Sequence, residues 1–124
     1  MVRVLIVEDE PIVAEAMSLC LDSAGHQVVG IAKDEVSALT QAALGQPEVV
    51  LMDTRLAGAS DGIETAQKMR AEHPVEVVFV TAYGDPRTRA QAAAVQPVGF
   101  VTKPFSSEQL TEAVTFAGAH RSKT

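Results

Sequence analysis

At 124 residues, with 47% hydrophobic and 21% charged side chains, the chain has the size of one domain that buries roughly two-thirds of its unfolded surface, and it is too apolar for disorder. A formal net charge of −6 argues against direct nucleic-acid binding and against an anionic membrane as partner. The single cysteine, Cys20, excludes an internal disulfide, and no apolar run approaches transmembrane length, so a cytoplasmic location is expected.

Arg3–Val7, apolar and β-branched, predicts the first strand. Pro11 suits the first turn of the helix that follows, where Ile12, Ala16, Leu19 and Cys20 recur at helical spacing and would face the core, with Cys20 a buried structural thiol. Gly25 is placed for a left-handed stop. Gln27–Ala32 predicts a second strand in which Gly30 marks close backbone approach. Asp34 caps a second helix that runs through Leu44 and is ended by Gly45 and Pro47.

Val49-Val50-Leu51-Met52-Asp53 reads as a short third strand buried on both faces and ending on a carboxylate. After a loop over residues 54–60, Asp61-Gly62-Ile63-Glu64 matches a capping box, and the third helix should run to about His73 before Pro74 stops it. Residues 75–81 predict a fourth strand, and Asp85-Pro86 opens a fourth helix through Ala94 that has few large apolar anchors and should pack weakly. Residues 99–102 form strand five. Ser106 and Gln109 then box the last helix, whose inward face is Leu110, Ala113, Val114 and Ala117. One domain over residues 1–120 is expected, with a polar, frayed tail beyond it.

This alternation of strand and helix predicts an α/β fold: a doubly wound, five-stranded parallel sheet with helices on both faces, flavodoxin-like. Successive strand exits then share one edge, which gathers Glu8, Asp9, Asp53, Thr81 and Lys103. Two like charges ~4 Å apart repel by about 4 kcal/mol at a surface-like dielectric, so a cluster of Glu8, Asp9 and Asp53 calls for a cation. Glu8 or Asp9 alone is equally well read as a helix cap, and Asp53 alone is better read as a loop cap or turn former. Oxygen donors without His or Cys select a hard ion, with Mg²⁺ the default. A hydroxyl from Thr81 and an ammonium from Lys103 complete a site for a dianionic group, towards which Asp53 can act as nucleophile to give an acyl phosphate.

Four stretches carry a resemblance: Val4-Leu5-Ile6-Val7-Glu8-Asp9-Glu10, Leu51-Met52-Asp53, Val80-Thr81-Ala82 and Lys103-Pro104-Phe105. In order and separation the chain resembles, over nearly its whole length, the receiver domain of a two-component response regulator. The strand order 2-1-3-4-5, common in small sheets of this kind, is also the order that this resemblance implies. The resemblance implies that Asp53 is the phosphoacceptor, fed by a sensor histidine kinase or a histidine phosphotransfer protein. It implies Mg²⁺ held by Asp9, Asp53 and the backbone carbonyl of Arg55, with Glu8 acting through water. Lys103, ahead of a cis proline at Pro104, would pair with Asp53 or its phosphoryl group, Thr81 would move towards the phosphoryl oxygen, and Phe100 would be the aromatic switch. The stretch Phe79-Val80-Thr81-Ala82-Tyr83 is similar to the Phe-Ala-Thr-Gly-Tyr run of one receiver subgroup, and the loop after Asp53 has Ala57 where proline is usual and runs one residue longer. Arg55 and Tyr83, two residues after Asp53 and Thr81, are expected to shield the acyl phosphate from water.

The expected function is a signalling switch in a phosphorelay, not a turnover enzyme, that alters a face for a downstream target protein and leaves a homodimer open. An Asp-nucleophile phosphatase of the haloacid-dehalogenase kind shares Asp, Thr, Lys and Mg²⁺ but wants a second acid where Arg55 stands, and a cap segment besides. A phosphorylation-independent interaction module is disfavoured by the intact set of acids, Thr81 and Lys103.

Overall fold

The structure, a computed structural model, describes residues 1–56, 61–82 and 86–122. In chain order the elements are β1 (Arg3–Val7), α1 (Pro11–Ser23), β2 (Gln27–Ala32), α2 (Glu35–Gly45), β3 (Val49–Asp53), α3 (Gly62–Glu72), β4 (Glu76–Thr81), α4 (Pro86–Ala93), β5 (Gly99–Thr102) and α5 (Ser107–Ser122). The five strands are parallel in the order β2-β1-β3-β4-β5, as the alternation and the resemblance led one to expect.

Alternate residues of each strand point to opposite faces, so a sheet covered on both sides needs continuous apolar strands. On one face Val4, Ile6, Val49, Leu51, Val78 and Val80 pack with Ala14, Met17 and Leu21 of α1 and Leu110, Val114 and Ala117 of α5. On the other, Leu5, Val7, Val50, Met52, Val77 and Phe79 pack with Ala38 and Ala42 of α2, Ile63, Ala66 and Met69 of α3, and Ala92 of α4. β3 is buried along its whole length, which places Asp53 at the centre of one sheet edge. Burying two faces around β3 stabilises the frame by roughly 1.5–3 kcal/mol for each large side chain withdrawn from water.

Several local expectations are corrected. Ile12 and Leu19 are 84% and 61% exposed, and the inward face of α1 is Ala14, Met17 and Leu21. That helix carries two apolar stripes, and periodicity alone cannot choose between them; the one with Met17 and Leu21 packs on the sheet. Cys20 is consequently only half-buried. Gly45 is the last helical residue of α2, and Gln46 takes the left-handed turn at φ 46°. A side chain at Gly45 would press on Val29, whose Cγ2 lies 2.9 Å from a Cβ placed there. Asp61 caps α3 through the Ile63 N–H at 2.8 Å, not through a reciprocal box, because Glu64 turns instead towards Lys68 at 3.5 Å. Residues 120–122, expected to fray, are instead helical. α5 runs through Ser122, with His120 Nδ1 3.2 Å from Glu76 and Arg121 Nε donating to the Pro74 carbonyl at 2.8 Å.

Other local features match the sequence. Gly25 is left-handed at φ 87°, a Cβ on Gly30 would sit 2.6 Å from Gln41 Oε1, and Ser106 and Gln109 exchange backbone and side-chain bonds at 2.9 and 3.1 Å. α4 is short and, of its residues, fully buries Ala92. The expected cap at Asp85 and the loop residue Ala57 lie outside the described residues.

Candidate functional site

Parallel pairing brings the exits of β1, β3, β4 and β5 to one edge. Glu8 follows β1 and is tied by its N–H to the Ala32 carbonyl at 2.8 Å; Lys103 follows β5 and is tied to the Thr81 carbonyl at 2.9 Å. Glu8, Asp9 and Asp53 offer carboxylate oxygens that all lie within 4.8 Å of one another, with Glu8 and Asp53 buried and Asp9 exposed. Lys103 Nζ bridges two of them, 2.6 Å from Glu8 Oε1 and 2.9 Å from Asp53 Oδ2. The other oxygens of this pair accept backbone N–H groups: Asp53 Oδ1 from Arg55 at 3.0 Å, and Glu8 Oε2 from Glu10 at 3.2 Å.

Burial is the main force on Glu8 and pushes its carboxyl up to about 7; the Lys103 bond opposes the rise, and the nearby charge of Asp53 adds to it. Burial would lower the Lys103 ammonium, but its bonds to Glu8 and Asp53 outweigh that and hold it above its ordinary value. One ammonium thus faces three carboxyl groups, an arrangement that still favours a further cation. The donor set is oxygen throughout, with one exposed and two buried acids, and it fits a hard divalent ion such as Mg²⁺.

Thr81 ends β4 all but buried, and its Oγ1 lies 2.8 Å from Thr54 Oγ1. Phe100 of β5 is partly buried against Phe79, ring centroids 5.7 Å apart, with the Arg89 guanidinium of α4 5.1 Å over its ring. Arg55 lies on the loop leaving Asp53, its side chain exposed, and is paired as a single antiparallel bridge with Asp61. The Lys103–Pro104 peptide is cis. Tyr83, expected to shield the site, lies outside the described residues.

Sequence reasoning placed Glu8, Asp9, Asp53, Thr81 and Lys103 on this edge and missed three features. The Glu8–Lys103 bond is one. Thr54 is another; its position directly after Asp53, across from Thr81 in the β3–β4 register, was the available signal. Gly62 is the third: a Cβ there would overlap the Asp53 carbonyl oxygen and lie 2.9 Å from Thr54 Cα.

Residues 4–115 match the family model described as the response regulator receiver domain. The chain belongs to that family. Among curated relatives, this receiver domain is 29% identical over 116 residues to the phyllosphere-induced regulator PhyR of Methylorubrum extorquens, covering 93% of this chain and 43% of that protein. It is 30% identical over 115 residues to the transcriptional regulatory protein PdtaR of Mycobacterium tuberculosis, covering 93% of this chain and 56% of that one. The chain therefore spans about half the length of these relatives. Among solved structures, the signal receiver domain of a modulated diguanylate cyclase from Desulfovibrio desulfuricans superposes with a TM-score of 0.92 at 31% identity, covering 99% of this chain and 98% of that one. As a receiver domain the chain is a two-component signalling switch, of a family that generally binds Mg²⁺ at an acidic cluster and takes its phosphoryl group from a histidine kinase or other phosphodonor. No helix among the described residues is long and apolar enough to cross a membrane.

Proposed function

We propose that Asp53 is the phosphoacceptor of this receiver domain and that the edge around it is the phosphorylation site. The observation that carries this reading is the Lys103 ammonium held between Asp53 and Glu8, 2.9 and 2.6 Å away. An Asp53 carboxylate oxygen forms the new P–O bond as the P–N bond of a partner's phosphohistidine breaks, and that electron pair leaves with the imidazole nitrogen. Lys103 balances charge on the incoming phosphoryl oxygens, and the Thr81 hydroxyl donates to one of them. Asp9, Asp53 and the Arg55 carbonyl would hold Mg²⁺, with Glu8 behind them. Such an ion supplies charge neutralisation and an oxygen ligand position for the phosphoryl group.

Phe100 lies under Arg89 of α4, so a shift of Thr81 is felt where β4, β5 and α4 meet. That motif and the exposed Phe116 of α5, at 60% exposure, support a partner-binding face on α4, β5 and α5 that answers phosphorylation. The partners we infer are a sensor histidine kinase or a histidine phosphotransfer protein on the input side and a target protein, or a second copy of the chain, on the output side, in the cytoplasm and without direct nucleic-acid contact.

Acetyl phosphate with Mg²⁺ tests the reading. Intact-mass spectrometry should show one added phosphoryl group on the wild type and none on Asp53→Asn. Repeated turnover of a generic phosphomonoester would instead make the domain a phosphatase.

A further inference from the structure

Thr54 and Thr81 follow Asp53 and Val80, the last paired residues of β3 and β4, so they occupy the same register position on neighbouring chains. Both are buried, at 6% and 1% exposure, and their hydroxyl oxygens are 2.8 Å apart. Thr54 is the fixed member of the pair. Its carbonyl accepts the Gly62 N–H at 3.1 Å, and Gly62 leaves no room for the backbone of residues 53 and 54 to shift towards α3.

A threonine hydroxyl has one proton and two lone pairs. Thr54 is nearly closed to water, and the Thr81 oxygen is its side-chain partner; either hydroxyl can donate across this distance, and donation by Thr54 is the direction that leaves the Thr81 proton for another acceptor. Thr81 then accepts from Thr54 and directs its own proton to a different acceptor. A phosphoryl oxygen only accepts, so this polarity is the one that phosphorylation of Asp53 requires. Successive hydroxyl bonds also polarise one another, which strengthens the outer bond.

We propose that Thr54 is a positioning residue for phosphorylation: its hydroxyl donates to the Thr81 oxygen and so orients the Thr81 proton towards the phosphoryl group as Thr81 moves to meet it. Thr54 acts through Thr81 and touches no reacting atom itself. The role rests on Asp53 being the phosphoacceptor.

The test is a two-residue cycle on the full chain with acetyl phosphate and Mg²⁺, reading the rate constant for phosphoryl gain by mass spectrometry. Thr54→Val keeps the shape and removes the hydroxyl; it should slow phosphorylation about tenfold, the scale of one lost hydrogen bond. Thr54→Ser restores the hydroxyl and should return the rate to within about twofold of wild type, which a loss of packing would not allow. In a Thr81→Ala background, Thr54→Val should cause no further loss. An unchanged or faster Thr54→Val domain overturns the proposal, and so does an equal loss in the Thr81→Ala background. A wild type that gains no phosphoryl group overturns the proposed function and this role with it, whereas a phosphorylated wild type beside an indifferent Thr54→Val overturns only the role of Thr54.

Discussion

A methyl group on Gly62 would overlap the carbonyl oxygen of Asp53 and crowd Thr54 Cα at 2.9 Å. The nearest contacts are backbone atoms, so the backbone carrying Asp53 would have to move. Gly62→Ala should destabilise the domain by about 3 kcal/mol, the upper range of overpacking in a tight site, and lower the denaturation midpoint in urea. A stability within experimental error of wild type would show that the loop after Asp53 yields easily. Residues of the site differed in how plainly the sequence marked them. Asp53 and Lys103 were legible because each closes an apolar strand, and topology alone brings strand exits together. Thr54 and Gly62 were not, since a threonine or glycine beside a loop has many ordinary reasons to be there. Their importance comes from distances that only packing sets.

Between elements, His26 joins the start of the chain to the last helix. Its Nδ1 accepts the Val2 N–H at 3.1 Å, and its Nε2 lies 3.4 Å from Thr115 Oγ1, whose own proton goes to the Thr111 carbonyl at 2.9 Å. This pattern assigns the neutral ring with its proton on Nε2. Burial first, and the N-terminal ammonium second, hold the ring below its ordinary value of 6.5. A lowered histidine value means that the native state disfavours the protonated ring. The contribution is therefore complete above 6.5 and is lost as pH falls through the lower native value. Wild type should lose stability relative to His26→Ala as pH drops from about 7 to 5, measured by urea unfolding across that range. Parallel pH profiles for the two proteins would remove His26 from this role.

The helices also differ in how firmly they are held. α4 buries Ala92 and is fastened from outside, by Arg89 over the Phe100 ring at 5.1 Å and by Arg70 Nη1 donating to the carbonyls of Val95 and Gln96 at 2.5 and 2.7 Å. Its composition, rich in alanine and poor in large anchors, announced that weakness. The two-striped α1 misled instead, because Ile12 and Leu19 are as apolar as Met17 and Leu21, and only the sheet decides which pair turns inward. Amides of α4 should exchange with deuterium before those of α1. Arg89→Ala should speed α4 exchange about two- to fivefold, the scale of a partly exposed cation–π contact. Uniform exchange across the helices would deny α4 any special mobility.

For the molecule as a whole, the acidic edge is the costly part of a frame otherwise stabilised by two apolar cores. A divalent ion bound by the native state alone adds stability by mass action, about 2.7 kcal/mol at a hundred times its dissociation constant. Thermal unfolding should therefore shift upward with added Mg²⁺ and return on chelation, and Asp9→Asn should blunt the shift. Equal midpoints with and without Mg²⁺ would leave Glu8, Asp9 and Asp53 as a cluster answered by Lys103 alone. The fold itself was readable throughout, from five apolar runs and their exits, because a parallel sheet covered on both sides admits few other arrangements.

Lys103 stands on the segment that leads from β5 into α5, yet its ammonium is divided between an acid at the end of β1 and another at the end of β3. That single side chain stitches the sheet across the seam between β1 and β3, from which the strand order runs outward in both directions. Any new charge on Asp53 must redraw the division, and the pull reaches α5 along only a few residues of backbone.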